Sequence, residues 1–238
     1  MLLFFLRVGG AALGFLAACA YGVVIALFRR DRSRVAHDTA QMLVRLMRPP
    51  LGLRVVVRGR EHLLARWPCI YIANHQSLYD VPVLAELYPP RTVVIGKKEL
   101  RRIPLFGWLY VATGNVLIDR KDNPSAVGRL QEAEEAIVER GVSVWIFPEG
   151  TRGKVPGRLL PFKKGAFYMA VATGAPLVPV VAAPLKGVFD PEHRVARPAT
   201  VEVRVLEPIP SVGLGEADVE TLMETAHARM QAALTEMA

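Results

Sequence analysis

Apolar residues run without interruption from Val8 to Phe28, 21 positions that carry no charge. As a helix this stretch measures about 31 Å, enough to cross the hydrocarbon core of a bilayer. Arg7 stands alone before it, whereas Arg29, Arg30, Arg32 and Arg34 follow at once. That asymmetry places everything downstream on the cytoplasmic side. A cleaved signal peptide is the rival reading, since Leu16-Ala-Ala-Cys19 resembles a lipoprotein cleavage box. The single arginine before it, and the apolar run continuing past the cysteine, argue against cleavage.

The pattern changes over residues 34 to 48. Arg34, His37, Asp38, Gln41, Arg45 and Arg48 recur at helical spacing, opposite Val35, Leu43, Leu46 and Met47. This suits an amphipathic helix lying on anionic lipid. A surface helix packed on the rest of the chain fits nearly as well. Pro49 and Pro50 are expected to end it. They divide a membrane-associated helical segment, 1–50, from a globular part, 51–238.

From there apolar, β-branched runs alternate with segments of helical periodicity. The predicted strands are Leu53–Val57, Cys69–Ala73, Thr92–Ile95, Asn115–Ile118, Val142–Phe147, Leu177–Val181 and Val201–Leu206. The predicted helices are Val81–Leu87, Leu105–Ala112, Pro124–Glu139, Lys163–Ala172 and Ala217–Met237. This is an α/β pattern: a central, mostly parallel sheet of about seven strands, covered by helices. Thr200–Leu206 alternates valine with Glu202 and Arg204, which predicts a half-exposed strand at a sheet edge.

Composition narrows the class. Of 238 residues 52% are hydrophobic and mean hydropathy is +0.27, with the excess at the N-terminus. The formal charge of +8 calls for a polyanionic partner: nucleic acid, anionic lipid, or a phosphorylated or acidic substrate. Basic and aromatic residues are not interleaved and no nucleic-acid motif is present, so a nucleic-acid partner is set aside. Cys19 and Cys69 both sit in apolar runs, and neither they nor the five histidines show metal-ligand spacing. No metal or cofactor is expected.

Candidate chemistry gathers where predicted strands stop. Cys69–Ala73 gives way to Asn74-His75-Gln-Ser-Leu-Tyr-Asp80, at the strand end where open α/β sheets bind ligands. His75 is a natural proton acceptor, because an imidazole titrates near neutral pH. Asp80 could fix its tautomer and stabilise the imidazolium. Residues five apart on one helix point about 140° away from each other. The two therefore meet only if His75 lies in the turn and Asp80 at the helix start, which Pro82 favours. Ser77-Leu-Tyr-Asp80 also fits a capping box, which would make Asp80 a helix starter. Lys97, Asp119-Arg120 and Glu149-Gly150-Thr151-Arg152-Gly153 follow three further strands. Parallel strands would bring Lys97, Arg120, Glu149 and Arg152 to one rim. A cationic pocket beside a general base suits a phosphorylated substrate with a hydroxyl to deprotonate. Gly150 and Gly153 would let backbone amides approach an anion. No nucleophile elbow is present, so direct transfer to a hydroxyl fits better than covalent catalysis.

These residues resemble the four ordered motifs of the glycerolipid acyltransferases. Asn74-His75-x4-Asp80 matches the first, Gly114-Asn-Val-Leu-Ile-Asp-Arg120 the second, Phe147-Pro-Glu-Gly-Thr-Arg152 the third and Leu177-Val-Pro179-Val the fourth. Gly96-Lys97-Lys-Glu-Leu and Leu160-Pro-Phe-Lys-Lys-Gly165 bring the pattern closest to the bacterial members that act on 1-acylglycerol 3-phosphate. Gly153 stands where family members often carry serine. The resemblance implies that His75, oriented by Asp80, deprotonates the sn-2 hydroxyl of lysophosphatidic acid. That oxygen then attacks an acyl thioester, acyl-CoA or acyl-acyl carrier protein, to give phosphatidic acid. It assigns Lys97, Arg120 and Arg152 to the phosphate. Asn74, Glu149, Gly150, Thr151 and Pro179 would shape the site. It places the protein on the cytoplasmic face of the bacterial inner membrane, with anionic lipid as a partner. Transfer to glycerol 3-phosphate or a lyso-aminolipid, a lipid hydrolase using Ser77, and a non-enzymatic lipid-binding module stand as alternatives.

Overall fold

The computed structural model describes residues 1–119, 123–153 and 155–237, with backbone alone over 123–129. All seven predicted strands form one sheet: β1 (Leu53–Arg58), β2 (Ile70–Ala73), β3 (Thr92–Lys97), β4 (Val116–Ile118), β5 (Ser143–Ile146), β6 (Leu177–Ala182) and β9 (Ala199–Val205). Their spatial order is β1-β9-β6-β2-β5-β3-β4. Every pairing is parallel except β6 with β9. A short hairpin, β7 (Phe189–Asp190) with β8 (Val195–Ala196), was not foreseen.

Both faces of the sheet are covered, which is why the central strands read as continuous apolar runs. Ile70 and Ile72 of β2 point into one apolar cluster with α5 (Asn123–Arg140), α6 (Gly165–Thr173) and α7 (Val219–Glu236). Tyr71 and Ala73 point into the other, beneath α2 (Arg32–Leu51) and α3 (Asp80–Leu84). The edge assignment for the last strand is corrected: β9 lies between β1 and β6, and β1 is the edge. Its alternation is real, with Val201, Val203 and Val205 buried. Alternation reports how each face is covered, not the order of strands. Glu202 is answered by Arg58 of β1 and by Arg204.

The N-terminal helices form an antiparallel pair. The first, α1 (Leu2–Phe28), carries small residues every fourth position at Gly10, Gly14, Ala18, Gly22 and Ala26. A Cβ at Gly14 would lie 2.6 Å from the Leu46 carbonyl oxygen, and one at Gly22 2.5 Å from Thr39 Oγ1. Small residues thus let the two backbones approach closely, as in membrane helix pairs. Asp31 caps α2 by accepting from the amides of Ser33 and Arg34. The helix does not stop at Pro49 and Pro50 but runs through them to Leu51. Gly52, at φ +62°, ends it by donating to the Arg48 and Pro49 carbonyls. Much of α2's polar face turns to the domain rather than to lipid. His37 Nδ1 lies 2.7 Å from Tyr88 O, Gln41 donates to Glu86 O, and Arg48 donates to Pro82 O and pairs with Glu86. Of the two readings of this helix, the one packed on the rest of the chain describes it.

Candidate active site

Strand β2 ends at Ala73, and the next six residues turn sharply into α3, which begins at Asp80. Asn74 fastens the start of that turn: its Nδ2 donates to Ala182 O at 3.0 Å, and its Oδ1 accepts from Ala182 N at 2.8 Å. The exchange ties β2 to the end of β6. Gln76 continues the seam, donating to Ala182 O and Ala183 O and accepting from Leu185 N. The roles of Gln76 and Asn74 are mechanical; only Asn74 was foreseen as shaping the site.

The turn brings His75 and Asp80 together. His75 Nδ1 lies 2.6 Å from Asp80 Oδ2, with the aspartate side chain 3% exposed and the histidine 20%. The same oxygen accepts from the amides of Gln76 (2.7 Å) and Ser77 (3.1 Å). Of the two sequence readings of Asp80, the pairing with His75 describes it. The capping box is only half made, because Ser77 N donates to Asp80 while Ser77 Oγ accepts from Tyr79 and the helix has no side-chain cap. Oδ1 of Asp80 is buried without a protein partner among the described residues. Ser77 Oγ accepts from the Tyr79 amide at 2.9 Å. No bond joins Ser77 to His75 among the described residues. The His75 ring stacks on Phe147, centroids 4.4 Å apart. Phe147, unflagged in the sequence reading, is the residue that opens the third motif.

Strand β5 pairs directly with β2, so the loop after it arrives beside His75. Glu149 is buried there, its Oε1 accepting from the His75 amide (2.8 Å) and Oε2 from the Leu160 amide (2.9 Å). Burial pushes its carboxyl above the usual range, and the two backbone bonds offset this only in part. The carboxylate is thus turned inward and holds the backbone of the histidine turn. Gly150 has φ +69°, and the stem of Lys163 crosses it, Cγ 3.3 Å from where a Cβ would sit. The amides expected to face an anion are occupied otherwise: Gly150 N donates to Phe147 O and Gly153 N to His75 O. Thr151 and Arg152 are exposed. Arg152 forms no ion pair with Glu149 among the described residues, so it is not that carboxylate's structural partner.

Strands β2, β5, β3 and β4 run parallel, so their loops emerge on one rim. Lys97 ends β3 and is exposed there. Its neighbour Lys98 is paired with Asp119, which follows β4. Arg120 lies outside the described residues. Pro179 is buried within β6 opposite Ile72 of β2. No cluster of histidine, cysteine and carboxylate side chains able to hold a metal occurs among the described residues.

Comparison with known proteins places this geometry. Residues 54–183 match the acyltransferase family model. The chain is 42% identical over 162 residues to the 1-acyl-sn-glycerol-3-phosphate acyltransferase of Escherichia coli, covering 68% of this chain and 65% of that one. It is 40% identical over 180 residues to the human 1-acyl-sn-glycerol-3-phosphate acyltransferase beta, covering 76% and 64%. With the Saccharomyces cerevisiae 1-acyl-sn-glycerol-3-phosphate acyltransferase it shares 34% identity over 227 residues, 93% of this chain and 75% of the other. It thus spans slightly under two-thirds of the human and E. coli relatives. The crystal structure of the 1-acyl-sn-glycerophosphate acyltransferase PlsC from Thermotoga maritima superposes with a TM-score of 0.79 at 27% identity, over 99% of this chain and 94% of that one.

Proposed function

The chain belongs to the acyltransferase family, and from that premise we propose that it acylates the sn-2 hydroxyl of 1-acyl-sn-glycerol 3-phosphate to form phosphatidic acid. The observation that carries this reading is the buried Asp80 carboxylate on His75 Nδ1, at a rim where Lys97 and Arg152 stand exposed. A carboxylate accepts, so Nδ1 carries the proton and Nε2 is left as the base. Nε2 takes the hydroxyl proton as the oxygen attacks the thioester carbonyl carbon. The tetrahedral intermediate collapses, the C–S bond breaks, and the imidazolium returns its proton to the departing thiolate. Asp80 stabilises the imidazolium throughout. Lys97 and Arg152, with Arg120, hold the acceptor's phosphate. Acyl-CoA or acyl-acyl carrier protein supplies the acyl group.

The N-terminal helices attach the protein to the cytoplasmic face of the membrane where its acceptor and product reside. Leu2, Leu3, Leu6, Leu13, Leu27 and Phe28 are exposed along α1. Because α2 runs back along α1, spanning the bilayer would draw Arg34, Asp38 and Arg45 inward, at about 2.5–3.5 kcal/mol for each at mid-depth. That cost favours α1 lying in one leaflet.

One assay tests the function. Purified protein is given several lysolipids and glycerol 3-phosphate as acceptors, with either thioester donor, and the products are identified by mass. Phosphatidic acid from lysophosphatidic acid is the expected main product. Preference for glycerol 3-phosphate or a lyso-aminolipid, or release of free fatty acid alone, would replace this reading.

A further inference from the structure

Helix α4 (Phe106–Ala112) connects the end of β3 to β4. Its sequence, Phe-Gly-Trp-Leu-Tyr-Val-Ala, is apolar around its whole circumference. A short helix covering a sheet should show polar residues outward. Here the inward positions Gly107, Leu109 and Tyr110 are buried, Tyr110 donating its hydroxyl to Val94 O. The outward positions are apolar as well: Leu105 is 44% exposed, Trp108 52% and Val111 44%, with Ile103 just before them at 39%. Across the molecule the described side chains of α5 show the ordinary pattern, exposing Gln131, Glu132, Glu135 and Glu139 with Val138 the one large apolar residue exposed among those described.

Scattered exposed apolar residues are normal in soluble domains. Four features set this group apart. It adjoins α1: Phe106 lies 5.3 Å from Phe15 between ring centroids, and Leu109 packs where Gly22 leaves room. Leu105 is held at φ +60°, ψ −53°, with the Phe106 amide donating to Pro104 O, a strained γ-turn that turns an exposed leucine outward at the start of the helix. The indole N–H of Trp108 finds no acceptor among the described residues, whereas that of Trp67 donates to Gly141 O. Arg101 and Arg102 border the group and are exposed.

We propose that Ile103–Val111 forms a second membrane contact, continuous with α1, in which Trp108 sits at the headgroup level of an anionic bilayer. Tryptophan is suited to that depth, its ring in the acyl boundary and its N–H among polar groups. Flanking arginines meet lipid phosphates. The contact gives the β3–β4 connection a task. Lys97 ends the strand that leads into it, so docking α4 places that cation at the plane where a lysolipid phosphate lies. The inference deepens the membrane-bound reading given above and rests on it.

Site-directed labelling tests it in the full-length protein on vesicles of phosphatidylethanolamine and phosphatidylglycerol. Cys19 and Cys69 are buried, so an environment-sensitive fluorophore attaches to the introduced thiol of Trp108→Cys, or of Val138→Cys as the control. The label at 108 is expected to shift to the blue and to be quenched by brominated acyl chains, and the label at 138 to do neither. Trp108→Ser should lower vesicle affinity about tenfold and leave acyl transfer in detergent micelles within about twofold of wild type. A protein that sediments with vesicles while the label at 108 stays in water overturns the inference and leaves the α1 anchor standing. A protein that does not sediment with vesicles overturns both. Because neither readout needs turnover, failure of the proposed chemistry would be seen separately.

Discussion

Two histidine–aspartate pairs occur among the described residues, and their contacts are nearly the same. His75 Nδ1 lies 2.6 Å from Asp80 Oδ2, and His193 Nδ1 lies 2.7 Å from Asp190 Oδ2. In each the aspartate also accepts two backbone amides, those of Gln76 and Ser77 in one and of Glu192 and His193 in the other. What differs is the surroundings. The first pair is 20% and 3% exposed, stacked on Phe147 and braced through the His75 amide by Glu149; the second is 77% and 41% exposed on the β7–β8 hairpin. A carboxylate in water steadies an imidazolium little, because the high dielectric screens their attraction. A buried one is screened less, and its geometry is fixed by the turn it caps. Contact geometry alone therefore singles out neither pair; burial and the parallel-strand rim are why the first is the one proposed for catalysis.

The largest test of that contrast removes each ring. His75→Ala should lower kcat about 10²–10⁴-fold in a protein that still folds and binds vesicles. Activity within a few-fold of wild type would falsify the proposed mechanism. The next largest effect isolates charge from hydrogen bonding. Three donors converge on Oδ2 of Asp80 while Oδ1 has no protein partner among the described residues. In Asp80→Asn the carbonyl oxygen can replace Oδ2 and keep all three bonds. The substitution should preserve the melting temperature within a few degrees yet cut kcat by about 10²-fold or more, since a neutral amide cannot offset the imidazolium. A silent change would reduce Asp80 to a cap, because asparagine caps as well as aspartate.

The pairing of His75 with Asp80 was legible because a spacing of five excludes a common helix and leaves only the turn. Likewise, strands buried on both faces betray themselves as apolar runs, as β2 and β6 do. What pattern alone hides is which partner a residue meets. The alternation of β9 encoded coverage and not its place between β1 and β6. The small-residue stripe of α1 vanished inside a uniformly apolar run, although it decides how α2 packs. On α2 the periodicity of polar residues was right, but His37, Gln41 and Arg48 meet carbonyls and a carboxylate of the domain. For Glu149 the residue was flagged and its contacts were not, since backbone amides leave no trace in sequence. The helix at Leu105–Ala112 was predicted, but nothing in its pattern marked its apolar outward face.

A smaller effect separates binding from chemistry. Arg152 is proposed to hold a phosphate that is the same in ground and transition states, whereas His75 is proposed to act on a proton in flight. Arg152→Ala should raise KM for lysophosphatidic acid about 10- to 100-fold, as expected for a charge-assisted contact of roughly 1.5–3 kcal/mol, with a smaller change in kcat. Arg152→Lys should recover part of this, lacking the planar fork of guanidinium. Since Arg152 makes no ion pair with Glu149 among the described residues, the melting temperature should hold. A well-folded variant with unchanged acceptor KM would remove Arg152 from the phosphate site.

The smallest expected effect is at the hairpin, and it is the most stringent check because the hairpin is close to the site. Phe189, beside Asp190, stacks on Tyr79 at 4.1 Å between centroids, and Tyr79 precedes Asp80 in the chain. If any His–Asp contact near this rim sufficed for chemistry, His193 would contribute. The hydrogen bond that its ring donates to Asp190 holds the His193 imidazole above its ordinary range, and the bonds from the His193 amide and ring hold the Asp190 carboxyl below its own. The histidine's contribution to stability is full below its unfolded value near 6.5 and fades as pH rises through the raised folded value. The aspartate's is present above its unfolded value near 3.9 and fades as pH falls through the lowered one. Both operate together between about pH 4 and 6.5. His193→Ala should therefore lower the melting temperature slightly at pH 5, by about two degrees at most for an exposed pair. At pH 9 it should do less. Asp190 keeps its bond to the Glu192 amide, so the turn survives the substitution, and kcat should stay within about twofold at both pH values. A loss of kcat beyond about tenfold in a protein of unchanged melting temperature would mean that the exposed pair takes part in turnover. The distinction drawn from burial would then fail.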